Sequence, residues 1–203
     1  QESVHLLKRK GEKKMAEKRR VAMEEKKGFS VQDLILIAVL IAAGAVLKLT
    51  VSSFLTFAGM KPNFMIALYC LAIILTKPKP YQAVVIGLLV GLVSQIPLLN
   101  ATPMVNFASE ALGALVCGLL VMGAAKIAPE SKTCQNVVLP VIITFASTLF
   151  SGYCFALIVG AGINHVAVAA VLAMYAPMVF GTAAMNAVAA AILTPVLKAV
   201  LKK

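Results

Sequence analysis

A chain of 203 residues that is 61% hydrophobic and only 13% charged is too poor in charge for a soluble domain, which carries about 25%. Its formal net charge of +11 does not imply a nucleic-acid partner, because ten of the 19 Lys and Arg residues precede Gly28. At about 20 apolar residues per span, the length is taken up by about six transmembrane helices and a basic arm, with no room for a soluble catalytic domain.

Residues 1–30 read as a Lys/Arg/Glu-rich cytoplasmic arm, helical or disordered. Its charged stretch is too long for a secretory signal. Ser30 and Asp33 then form an S-x-x-D start with helix-favouring chemistry. The first span is expected over Val31–Phe54, followed by a loop, Thr56–Pro62, reading TFAGMKP. A short second helix covers Asn63–Thr76. Lys77–Pro80 is a charged turn, and a third helix covers Tyr81–Ile96. Pro97 and Pro103 end that helix and delay the fourth, Asn106–Ile127. A polar gap, Ala128–Gln135, leads to the fifth helix, Asn136–Val159. After the turn Gly160–His165, Val166–Met174 reads either as a short lid helix or as the start of a long last helix. Pro177 suits a first turn, which places the final span at Pro177–Leu201.

Charge orients this series. With the N-terminus inside, Lys77, Lys79, Lys126, Lys132, Lys198, Lys202 and Lys203 all fall on the inner side, and only Lys61 and Lys48 lie toward the outer side. That asymmetry follows the positive-inside rule. The expected fold is therefore an all-α integral membrane protein, a single bundle with both termini in the cytoplasm, formed by residues 31–203. The expected location is a cell membrane crossed several times.

Chemical motifs are scarce. There is no G-x-x-x-x-G-K-[ST] loop, no H-E-x-x-H and no G-x-S-x-G, so neither an ATP site nor a hydrolytic centre is implied. Cys70, Cys117, Cys134 and Cys154 lack paired spacing and read as small buried residues, not metal ligands. No metal, cofactor or enzymatic activity is expected.

One acidic residue, Glu110, falls at membrane depth, one turn after Asn106. A carboxylate there costs several kcal/mol unless paired. Lys48 and Lys61 are the candidate partners. Either a structural ion pair ties helix 4 to helix 1, or the charges hold a small ligand. A zwitterion would suit the second case, its carboxylate on Lys61 and its ammonium on Glu110. Phe57, Met60, Phe64 and Phe107, with Phe54, read as an apolar pocket wall or as an interfacial aromatic belt. Asn63 and Asn106 are candidate hydrogen-bonding groups. Ala38, Ala42 and Ala45 place small residues on one face of helix 1, suited to close helix approach. Gly87 and Gly91 form a second such pair, expected to pack within the chain.

The short spans, the A-x-x-x-A of Ala38 and Ala42, and the segment GMKPNFM, Gly59–Met65, together resemble the substrate-binding S component of an energy-coupling factor (ECF) transporter, in particular the tryptophan type. The pattern departs at Asn63, where that type carries an acid. The resemblance covers Val31–Lys203. It implies a subunit that captures a small nutrient at the outer face of a prokaryotic plasma membrane, tryptophan or a related aromatic amino acid, or a vitamin. It further implies docking through Ala38, Ala42 and Ala45 onto a transmembrane T subunit, with a cytoplasmic ATPase pair supplying energy. A self-contained secondary transporter would instead show inverted repeats and midplane charges. A non-transporting scaffold would have no pocket.

Overall fold

The computed structural model describes residues 28–55, 62–96, 99, 102–127 and 131–202. The chain divides between Leu34 and Ile35 into two units. In the first, Ser30 and Asp33 cap the opening helix reciprocally. The Asp33 amide donates to Ser30 Oγ at 3.1 Å and the Ser30 amide to the Asp33 carboxylate at 3.3 Å, which satisfies backbone donors that the first turn leaves unpaired.

The described residues are helical, with no strand among them. Six apolar helices follow in order: α1 Val31–Phe54, α2 Met65–Thr76, α3 Pro80–Val93, α4 Val105–Ile127, α5 Cys134–Ile163 and α6 Val168–Leu201. Four of them, α1, α4, α5 and α6, are long and apolar enough to cross a membrane. The other two, of 12 and 14 residues, are shorter than the roughly 30 Å hydrocarbon core requires. This is a helical membrane bundle.

All 12 residues of α2 are buried. A helix apolar on every side has no solvent face to offer and becomes a core element. Around it pack α3, α4, α5 and α6, and α1 approaches at Gly44, where a Cβ would stand 3.1 Å from Met65 Cα. Lys77 closes α2 in a left-handed conformation (φ 47°), its amide donating to Ile73 O at 2.8 Å. Pro78 and Pro80 then stiffen the turn into α3, with Pro80 in its first turn. Gly87 and Gly91 sit where α3 meets α4: a Cβ on Gly87 would lie 2.5 Å from Glu110 O, and one on Gly91 3.0 Å from Phe107 Cα. The pair packs within the chain, as its spacing suggests.

The largest differences from the sequence reading are in the last two helices. The last helix does not begin at Pro177. It runs unbroken from Val168 to Leu201 with Pro177 and Pro195 inside it. A proline removes one backbone donor and crowds one turn, which neighbouring helices in a bundle absorb. The fifth helix is also longer, because its α-helical middle, Leu139–Leu157, is flanked by wider π turns at Cys134–Val138 and Ile158–Ile163. At its start, Lys198 of α6 donates to Gln135 O at 3.0 Å and to Asn136 Oδ1 at 2.9 Å, fastening the end of α6 to the beginning of α5. All four cysteines are unpaired thiols; Cys70 and Cys117 are buried, and Cys134 and Cys154 half-buried.

Candidate functional site

The polar groups buried in this apolar bundle converge on Glu110. Its side chain is 0% exposed, and α4 carries Asn106 and Ser109, also buried, in the turn before it. Asn63, just ahead of α2, donates from Nδ2 to Glu110 Oε1 at 2.5 Å, and Ser151 of α5 reaches Oε2 at 3.4 Å. Lys48 of α1 is 4% exposed, and its charge acts on the Glu110 carboxylate. It belongs to the inward stripe of α1, with Ile37, Leu40, Ile41 and Gly44, so helical periodicity carries a cation into the bundle. Burying the two charges together reduces the desolvation cost that either would incur alone.

A second layer supports the first. Asn186 of α6, 0% exposed, donates to Asn63 O at 3.1 Å and to Thr148 Oγ1 of α5 at 3.2 Å. Asn63 thus links Glu110 to Asn186 through its own side chain and backbone. Tyr69 of α2 is fully buried beside Glu110 and Ser151, its hydroxyl without a well-formed hydrogen bond among the described residues. Gly113 of α4 leaves room for that hydroxyl, since a Cβ there would collide with it and with Ser151.

Of the residues singled out in the sequence, Glu110 and Asn63 are hydrogen-bonded, the charge of Lys48 acts on Glu110, and Asn106 is buried one turn from Glu110. Phe107 is half-buried and lies against Gly91 of α3. Phe64 is half-buried at the start of α2. Phe57, Met60 and Lys61 lie outside the described residues. On α1, Ala38 and Ala42 are exposed and Ala45 is half-buried, so these small residues sit off the buried stripe that holds Gly44.

Tyr69, Ser151, Thr148 and Asn186 are the members that sequence reasoning passed over. Thr144, Ser147, Thr148 and Ser151 recur at helical spacing on the buried face of α5, and Asn186 is the one amide in an alanine-rich stretch of α6. Polar residues inside apolar spans face the bundle interior as a rule, and that signal was available. Among the described residues no group of His, Cys, Asp and Glu is arranged to hold a metal ion.

The arrangement offers a buried carboxyl group, a buried lysine and several amide and hydroxyl groups. A family model described as "Tryptophan transporter TrpP" matches residues 30–202. No curated protein and no solved structure matches the chain.

Proposed function

The chain belongs to the tryptophan transporter TrpP family, a family of ECF S components and of multi-pass proteins of the prokaryotic plasma membrane; from that premise we propose that it is the substrate-binding subunit of an ECF importer, holding tryptophan at Glu110. The observation that carries this reading is the wholly buried carboxylate bound by Asn63, with Lys48 acting on it. An amino acid presents an ammonium and a carboxylate, and Glu110 and Lys48 complement those charges. Lys61 is a second candidate for the substrate carboxylate. Phe57, Met60, Phe64 and Phe107 are the proposed apolar wall for the indole ring, with Asn106 as a further polar contact.

The energy would come from outside the chain. Ala38, Ala42 and Ala45 are proposed to seat a T subunit that carries a cytoplasmic ATPase pair. The exposure of Ala38 and Ala42 supports this, because small side chains allow a second helix to approach closely in lipid. Ala42→Trp should then abolish co-purification with the T subunit and leave tryptophan binding intact.

The site is tested by equilibrium binding of tryptophan to the purified protein. Glu110→Gln should weaken binding about tenfold or more, the loss of a charge-assisted hydrogen bond of roughly 1.5–3 kcal/mol. Lys48→Met should do the same. Normal binding by both variants, combined with lowered thermal stability, would make Lys48 and Glu110 a purely structural ion pair.

A further inference from the structure

Two buried amide oxygens in the network around Glu110 lack a donor among the described residues: Oδ1 of Asn63 and Oδ1 of Asn186. The orientation of each amide is set by its neighbours. Asn63 turns its NH2 to a carboxylate oxygen. Asn186 turns its NH2 to the Asn63 backbone carbonyl and to the Thr148 hydroxyl, whose proton is committed to Thr144 O at 2.7 Å. The Asn63 carbonyl and the Thr148 oxygen accept, so flipping the Asn186 amide would set oxygen against oxygen, and an ionised Glu110 fixes the Asn63 amide in the same way. The leftover oxygens are therefore built into the network, and a buried acceptor left without a donor costs stability.

A group that brings several N–H donors and a positive charge satisfies such acceptors beside a carboxylate, and a primary ammonium has three donors and the charge. We propose that Asn186, through its Oδ1, forms with Asn63 Oδ1 and Glu110 the subsite that receives the ammonium group of the bound amino acid. This inference rests on the reading of the Glu110 region as the substrate site and adds a specificity-determining residue to it. Asn186 selects for an amine-bearing ligand, and the cation Lys48 serves the carboxylate.

The test compares tryptophan with indole-3-propionate, which keeps the ring and the carboxylate but has no amine. Native protein, full chain in detergent, should prefer tryptophan by about tenfold or more. Asn186→Leu should weaken tryptophan binding by a similar factor and leave indole-3-propionate binding nearly unchanged, so that the preference collapses. A merely structural role would weaken both ligands alike, and an unchanged ratio overturns the inference. If Asn186→Leu does not fold, Asn186→Ala is read instead: it too removes the Oδ1 acceptor and should collapse the preference for tryptophan, and an unaltered preference overturns the inference. Equal affinity of the native protein for the two ligands also overturns it while leaving the substrate site standing. Failure of the native protein to bind tryptophan at all overturns the underlying reading and this inference with it.

Discussion

Helices α1 and α2 follow each other in the chain and are both almost wholly apolar, yet they stand in opposite circumstances. Every residue of α2 is buried. α1 buries one stripe and exposes the rest, with Val39 and Val46 each 58% exposed. In water such a difference would be written in polarity; in lipid it cannot be, because acyl chains are as apolar as leucine. What distinguishes the two is side-chain volume and the placement of a few polar atoms. Gly44 marks the face of α1 that meets α2, and Ala38 and Ala42 mark a face that meets no other helix of the described chain closely.

The contrast is broken most forcefully by removing volume. Leu71→Ala in α2 should cost about 2–5 kcal/mol, because the cavity has helices on all sides, whereas Val39→Ala on α1 should stay within about 0.5 kcal/mol. Thermal unfolding in detergent measures both, and equal losses would mean that α1 is enclosed as well. Adding volume sharpens the comparison further. Gly44→Leu should destabilise the isolated protein by about 1–3 kcal/mol, since its side chain runs into Met65. Ala42→Leu, two residues earlier, should leave its melting temperature unchanged. Identical behaviour of the two would show that the small residues of α1 form one internal face. The gentlest test leaves stability alone. If both termini lie in the cytoplasm, a cysteine at position 79 or 132 should stay unlabelled by an impermeant thiol reagent applied to intact cells, and external labelling at either position would reverse the expected orientation.

Much of the bundle was readable in the sequence because apolar runs separated by Lys/Pro gaps leave few alternatives. Glu110 stood out for the same reason, as a lone acid among apolar residues. Pro177 misled, since a proline that starts a helix in water can lie inside one when neighbouring helices hold the turn. The π turns at either end of α5 had no signal in residue type. Tyr69, Ser151 and Asn186 were individually unremarked, because one hydroxyl or amide in a span is common. Only the meeting of α2, α4, α5 and α6 turns them into one network, and that convergence is a property of packing, which periodicity along one helix does not encode.

The complete enclosure of α2 also bears on how the protein enters its membrane. A helix of about 18 Å is too short to rest across the bilayer as an independent segment. Its seat is formed largely by α4, α5 and α6, which leave the ribosome after it. Until they arrive, the α2–α3 hairpin, with Lys77 and Lys79 at its turn, has only α1 to pack against. The chain therefore cannot be assembled helix by helix in order of synthesis: an early segment must wait at the membrane surface or within the insertion machinery, and any truncation that removes α6 strands the middle of the protein.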